Sequence, residues 1–195
     1  FIMVYTQHNK TTTPFNFMKD RIIRVVPIYW IFLLLYLALY FVMPSIFREF
    51  QPNSNHIISS FLFSSEWVLD KHPLIYVGWT LEYEMLFYAT FSIALMMKVQ
   101  KRFFVPFILI LLLPIFPHVD YVIYEFLLGM LVAKLYLVRK YESHGLLLFF
   151  TGIILFVLLN SFVGEWHRLI IFGLPAFFIV FGALYLPAIK NRILL

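Results

Sequence analysis

Three carboxylates lie inside long apolar stretches of the sequence. Glu82 and Glu84 fall within the segment Gly78-Trp79-Thr80-Leu81-Glu82-Tyr83-Glu84-Met85-Leu86-Phe87-Tyr88, and Glu125 follows Tyr121 by four residues. An ionisable side chain at membrane depth costs on the order of 2–3 kcal/mol or more to insert, so such residues usually face a cavity or a partner. We therefore regard these three glutamates as candidate functional groups.

The geometry of a helix separates Glu82 from Glu84. At about 100° per residue the two side chains point about 200° apart, so they do not form the carboxylate pair of a glycosidase. Glu84 is predicted roughly 12 Å below Tyr76, in the outer half of a bilayer. The alternative role for Glu84 is a buried structural carboxylate bonded to a neighbouring helix. For Glu82 and Glu125, a position at the membrane interface is the simpler interpretation.

Two arginines, Arg21 and Arg24, precede an apolar stretch that starts near Val25. Residues three apart share a face of a helix, and two guanidinium groups presented together suit the bidentate binding of phosphates. The alternative for a bare R-x-x-R beside a membrane is anchoring to lipid headgroups.

Other chemistries have no matching pattern in the sequence. Cysteine is absent, and the sequence lacks a G-x-S-x-G elbow, a Walker loop, a glycine-rich dinucleotide turn and an H-E-x-x-H metal motif. We predict no metal site. The histidines are predicted in loops or at the interface, none of them as an intramembrane base. They are His8, His56, His72, His118, His144 and His167.

The elements that position these residues are predicted to be membrane helices. The chain is 63% hydrophobic and 13% charged, which excludes an ordinary soluble domain. A bilayer core about 30 Å thick needs roughly 20 apolar residues as helix. We predict an all-α polytopic membrane bundle of one domain, with six full spans and, at residues 1–5, the end of one preceding helix that begins upstream. The predicted spans are residues 25–43, 76–97, 103–117, 121–138, 146–164 and 169–187.

Basic residues predict the orientation of the spans. Of the 15 Lys and Arg, all but Arg48, Lys71 and Arg168 fall in one set of alternate segments. Because short cytoplasmic loops carry an excess of Lys and Arg, both ends of the chain are predicted on the cytoplasmic side. This distribution also accounts for the net charge of +5 without nucleic acid as a partner. On the outside, residues 56–65 are predicted as a short amphipathic segment at the interface.

Two local patterns resemble acyltransferase family 3, the integral membrane acyltransferases of bacterial surface polysaccharides. The segment from Arg21 to Trp30 is similar to the family's R-x-x-R followed by P-x-Y-W, and the segment from Trp79 to Tyr88 is similar to W-[ST]-L-x-x-E-x-x-F-Y. A weaker match is Glu125-Phe126-Leu127-Leu128-Gly129-Met130. The second pattern looks most like the exopolysaccharide-production members. Glu82 departs from the residue expected there and receives no role.

The resemblance implies an O-acyltransferase of the bacterial inner membrane. It would move an acyl group, with acetyl as the expected group, from cytoplasmic acetyl-CoA to a hydroxyl of an exported polysaccharide or its lipid-linked precursor. No permanently bound cofactor is implied. Arg21 and Arg24 would face the coenzyme, Glu84 would orient the base or bind the acceptor, and Trp79 and Tyr88 would line the substrate site. The family's proposed catalytic histidine lies on a first helix that would precede Phe1. The later helices of the family would follow Leu195, so residues 1–195 would be part of the domain. The alternatives are a membrane transporter and an inactive truncated remnant.

Overall fold

The described part of the chain is entirely helical. The structure, a computed structural model, describes residues 1–7, 12–47, 52–97, 102–138, 142–161 and 168–186, and no strand occurs among them. Two helical segments, Pro14–Val42 and Tyr121–Val138, are long and apolar enough to cross a membrane. Only 22% and 28% of their most apolar windows are buried, unlike the core helix of a soluble protein. The all-α prediction is confirmed, whereas six complete spans stay a prediction.

The helices divide into two compact units, residues 10–123 and residues 1–9 with 124–195. The first unit contains α2 (Pro14–Val42), α3 (Ser54–Phe61), α4 (Ser65–Leu69), α5 (Gly78–Leu95) and α6 (Phe104–Leu112). The second contains α1 (Ile2–Gln7), α7 (Tyr124–Val138), α8 (Gly145–Ser161) and α9 (Leu174–Ala183). Every predicted site residue except Glu125 belongs to the first unit.

Several predicted spans are present as helices that change type near prolines or at their ends. α6 continues as a 3-10 turn over Leu113–Ile115, which contains Pro114, and a 3-10 turn over Tyr121–Ile123 precedes α7. A π-helical turn, Leu169–Gly173, leads into α9. Proline lacks the backbone N–H that an α-helix needs at interior positions, so a regular helix ends or changes its pitch there.

Helix α2 begins eleven residues before the predicted span. The hydroxyl of Thr13 accepts from the backbone N–H of Asn16 at 3.3 Å, and Pro14 occupies the first turn, where it removes no helical hydrogen bond. Arg21 and Arg24 lie within this long helix, about one turn apart, in agreement with the prediction that they share a helical face.

Helices α2 and α5 pack side by side in opposite directions. The hydroxyl of Ser92, near the end of α5, donates to the carbonyl of Pro14 at 3.2 Å. At the other end, a Cβ on Gly78 would lie 2.8 Å from the ring of Tyr29, so glycine permits the close approach there. This register places the first turns of α2 beside the second half of α5.

The segment predicted at the membrane interface forms α3 and α4, but its polar side faces the protein. Ser59 and Ser60 are buried, and each has its hydroxyl 3.1 Å from that of Ser65. Ile58 and Leu62 are 56% and 66% exposed. The hydroxyls satisfy one another inside the protein, and the position of this segment at the membrane interface stays a prediction.

In the second unit, α8 and α9 pack so closely that their backbones are in contact. A Cβ on Gly182 would lie 2.3 Å from the backbone nitrogen of Phe149, and one on Gly152 would lie 2.7 Å from that of Ile179. Small residues allow such close packing of helices in a membrane, where dispersion contacts replace the hydrophobic effect.

We expect Gly182→Ala to lower the free energy of unfolding by about 2 kcal/mol or more, because the added methyl group meets a backbone atom and forces the helices apart. The measurement is the thermal unfolding midpoint in detergent. Gly173→Ala is the matched control, since its Cβ would meet no backbone atom but the movable side-chain ends of Leu169 at 3.1 Å and Leu128 at 3.3 Å, with Glu125 Cγ at an ordinary 3.7 Å. Equal losses in the two variants would contradict the close-packing explanation.

Candidate functional site

The side chain of Arg21 lies against two aromatic rings. Its guanidinium carbon is 5.3 Å from the ring centre of Phe17 and 5.7 Å from that of Tyr88, within the range of cation–π attraction. The Nε atom of Arg21 is buried and has no hydrogen-bond partner among the described residues. An unsatisfied buried donor costs about 1–3 kcal/mol, and an anionic ligand would offset that cost.

Tyr88 connects this arginine to Glu84. The Tyr88 hydroxyl donates a short hydrogen bond to Oε1 of Glu84, one turn earlier on α5, and the Tyr88 side chain is 3% exposed. Arg21, Tyr88 and Glu84 therefore form one continuous group, the Arg21–Tyr88–Glu84 cluster. The sequence predicted all three residues, but it placed the arginines and Glu84 at different depths and did not predict that Tyr88 joins them.

Arg24 lies one turn further along α2 with an exposed side chain. Arg24 thus adds a second positive charge near the Tyr88 hydroxyl, in addition to that of Arg21. Trp79 is placed elsewhere. The Trp79 ring packs edge-on against the ring of Tyr83, with the ring centres 6.2 Å apart. Trp79 lies nine positions before Tyr88, which is roughly 13 Å along the helix.

A comparison with protein families identifies the domain that contains this cluster. The acyltransferase domain of family 3 matches residues 1–194, which is nearly the whole chain. The chain belongs to the acyltransferase 3 family. The predicted resemblance is thereby confirmed, and the Arg21–Tyr88–Glu84 cluster is a feature of an acyltransferase domain.

A curated relative of this acyltransferase domain is the exopolysaccharide production protein ExoZ of Rhizobium meliloti (strain 1021). The two sequences are 32% identical over 105 residues, which is 52% of this chain. The match covers 32% of ExoZ. No solved structure matches significantly.

Glu82 has a structural role in the acyltransferase domain that the sequence did not predict. Its side chain is fully buried, and its two carboxylate oxygens accept from the backbone N–H groups of Ser65 at 3.0 Å and Glu66 at 2.8 Å. These N–H groups begin α4 and have no helical acceptor, and Ser64 makes no capping bond to them. The burial shows that Glu82 faces protein, and its position at the membrane interface stays a prediction. Ser64 is itself a preferred capping residue, so no local sign in the sequence showed that a distant carboxylate would cap α4.

We expect Glu82→Ala to lower the free energy of unfolding by about 3 kcal/mol, because two backbone donors then lose their charged acceptor inside the protein. Glu82→Gln keeps one acceptor oxygen and is the conservative control, with a smaller loss. The local measurement is the hydrogen-exchange protection of residues 65 and 66 in the detergent-solubilised protein. Unchanged protection in Glu82→Ala would disprove the capping role.

A second polar region surrounds the start of α5. Nδ1 of His72 makes a short contact with Oε1 of Glu66, and Nε2 of His56 lies 2.8 Å from the carbonyl of His72. His118 and Asp70 approach to 3.4 Å. His72 and His118 lie between helices, as predicted, whereas His56 is buried on α3. His8 and His167 lie outside the described residues.

Glu125 belongs to the other unit and forms an ion pair. Its Oε1 accepts from Nε of Arg168 at 3.0 Å, and the glutamate side chain is 31% exposed. Glu125 is thus paired within its own unit, and its interfacial position stays a prediction. Among the residues that the structure describes, no three His, Asp or Glu side chains are grouped to hold a metal ion.

Proposed function

We propose that the protein is a membrane O-acyltransferase that moves an acyl group, acetyl in the first instance, from acyl-CoA to a hydroxyl of an exported polysaccharide or its lipid-linked precursor. The observation that carries the proposal is the Arg21–Tyr88–Glu84 cluster, in which an arginine with an unpartnered buried nitrogen packs against the ring of a tyrosine whose hydroxyl donates to a carboxylate. A donor with phosphate groups and an acceptor with a hydroxyl group need these two kinds of side chain.

The arginines fit the phosphates of the donor. Arg21 offers a buried Nε that no described residue uses, and Arg24 adds a second guanidinium one turn away. Each charge-assisted contact to a phosphate contributes about 1.5–3 kcal/mol. Packing of Arg21 against Phe17 and Tyr88 fixes the plane of the guanidinium before the donor binds, which reduces the entropy lost on binding.

Glu84 fits a role in the removal of the proton from the acceptor hydroxyl. In the transfer, the acceptor hydroxyl oxygen bonds to the thioester carbonyl carbon and the carbon–sulfur bond breaks. The hydroxyl proton goes to a general base, which passes it to the departing thiolate, so that the coenzyme leaves as a thiol. Glu84 either accepts a hydrogen bond from the acceptor hydroxyl or orients a histidine that acts as the base, as the family resemblance implies. Tyr88 restrains Glu84 in the orientation that this role requires.

The proposal includes the membrane. The protein lies in a bacterial cytoplasmic membrane as a multi-pass bundle, with both ends of residues 1–195 on the cytoplasmic side and Arg21 near the cytoplasmic end of α2. Apolar side chains that cover α2, among them Ile28, Phe32 and Leu35, are more than half exposed and suit contact with lipid. Donor and acceptor then approach the bundle from opposite sides.

The test is a transfer assay in membranes that contain the protein expressed from its complete gene. Membranes receive acetyl-CoA labelled in the acetyl group, and label is measured on extracted polysaccharide and glycolipid. We expect base-labile label that depends on the gene. Absence of label in both fractions, at a normal protein level and with the acceptor present, would reject the proposed function.

A further inference from the structure

A polar cavity of about 480 Å³ lies in the unit of residues 10–123, near the start of α5. Pockets that hold small ligands measure roughly 300–1,000 Å³, so the cavity has room for a sugar unit. None of the residues of the Arg21–Tyr88–Glu84 cluster lines it. Its polar lining consists of Glu66, Asp70, Tyr83, His118, Asp120 and Tyr121.

The charge of the lining selects against anions. Three of these side chains are carboxylates, and no Lys or Arg is among the described residues that line the cavity. His118 lies 3.4 Å from Asp70, and His72 contacts Glu66, so each of these two carboxylates is offset when its histidine is protonated. Asp120, in contrast, forms no ion pair within the described part of the chain. A phosphate or a uronate brought here would meet like charges, which disfavour its binding.

An independent observation points to a hydroxyl-rich ligand. The Tyr83 side chain is 2% exposed, and its oxygen accepts from the backbone N–H of Asp120 at 2.9 Å. No described residue accepts the proton of the Tyr83 hydroxyl, so this buried donor at the cavity wall is available to a ligand oxygen. Carboxylates beside it accept from ligand hydroxyls, and the rings of Phe116 and Tyr121 supply apolar faces.

We propose that this cavity binds a neutral or amino sugar unit of the acceptor glycan and discriminates against acidic sugars. The inference rests on the proposed function for the statement that the ligand is the acceptor of acyl transfer. A sugar hydroxyl both donates and accepts hydrogen bonds, which matches carboxylate acceptors placed next to a tyrosine donor. In the proposed topology the start of α5 is the outer end, where an exported glycan arrives.

The test uses the protein from its complete gene in nanodiscs, without acyl-CoA, and isothermal titration with hexasaccharides. The neutral probes are gluco- and galacto-hexasaccharides, and the acidic probe is hexagalacturonate. We expect a neutral probe to bind at least tenfold more tightly than the acidic one. Asp70→Asn/Asp120→Asn should reduce this preference at least threefold, and Tyr83→Phe should weaken neutral binding about fivefold.

Asp20→Asn is the matched control, because Asp20 is an exposed carboxylate on α2 that does not line the cavity. The variants are compared only if their thermal unfolding midpoints match that of the unaltered protein. If the double variant does not fold, the single variant Asp70→Asn replaces it, because the Asp70 side chain is 74% exposed. Binding of neither neutral probe, equal binding of neutral and acidic probes, or a preference that the Asp variants leave unchanged would overturn the inference.

The titration and the transfer assay fail independently. If the neutral preference is present but labelled acyl groups never reach a glycan, the proposed function falls and the sugar site stands. If transfer occurs but the cavity variants match the unaltered protein in their affinity for neutral probes and in their preference for neutral over acidic probes, the sugar site is rejected and the acyltransferase function remains.

Discussion

Arg21→Ala is expected to raise the KM for acyl-CoA about 100-fold in the transfer assay and to change kcat much less. The variant removes up to two charge-assisted contacts to phosphate, and each 1.4 kcal/mol of lost binding corresponds to a factor of ten. Because the phosphates are not the reacting atoms, their contacts are the same in the ground state and the transition state, which places the loss in KM. Initial rates over a series of acyl-CoA concentrations provide the measurement.

Lys19→Ala is the matched control for Arg21→Ala. Lys19 is a basic residue on the same helix, but its side chain is exposed and does not contact the rings of Phe17 and Tyr88. We expect less than a threefold change. Arg21→Lys should recover little of the loss, since an ammonium group cannot bind a phosphate bidentately while stacked between rings. A KM that Arg21→Ala leaves unchanged at equal protein level would remove this residue from donor binding.

Glu84→Gln is expected to lower kcat by about 10²–10³-fold, the range typical of a lost acid–base group or its orienting partner. Tyr88→Phe removes only the hydroxyl that restrains Glu84, and we expect about a tenfold loss, consistent with one hydrogen bond to a charged group. Both variants should retain the KM for acyl-CoA within about threefold, because Arg21 keeps its aromatic contacts. The same steady-state assay separates the two effects.

Tyr36→Phe provides the control for removal of a tyrosine hydroxyl from a membrane helix, since Tyr36 lies on α2 and its ring packs against Phe47 instead of the cluster. A kcat for Glu84→Gln that matches the unaltered protein would assign Glu84 to structure alone. If Tyr88→Phe lowered kcat as far as Glu84→Gln, the tyrosine hydroxyl would itself contact the reacting groups, and its assignment as a positioning residue would be wrong.

The sequence predicts those parts of the molecule that depend on local pattern. Apolar stretches of the right length predicted helices, and the spacing of Arg21, Glu84 and Tyr88 within two motifs predicted residues that the structure brings together. The membrane span was predicted from residue 25, and hydropathy did not show that the helix itself begins at Pro14, because charged residues from Lys19 to Arg24 lower the average even though they are helical. The capping residue Thr13, followed by proline, carries the correct local signal.

The parts that the sequence did not predict depend on partners distant in the chain. Tyr88 joins Arg21 to Glu84 only because α2 and α5 pack antiparallel in one register, and helical periodicity within either helix contains no information on that register. The burial of Glu82 depends on the N–H groups of Ser65 and Glu66, which donate to its carboxylate. These two residues begin a helix of only five residues, far from Glu82 in the sequence. Hydropathy likewise cannot tell which side of α3 faces protein.

The burial of Glu82 under α4 constrains the order in which the protein is assembled during its synthesis. Residues 59–65 leave the ribosome before Glu82, so the serines and the first N–H groups of α4 must stay hydrated on the membrane surface until α5 has been inserted. Only then does the carboxylate arrive that allows this segment to leave water. A chain released before α5 is in place would leave the first N–H groups of α4 without the carboxylate that accepts from them.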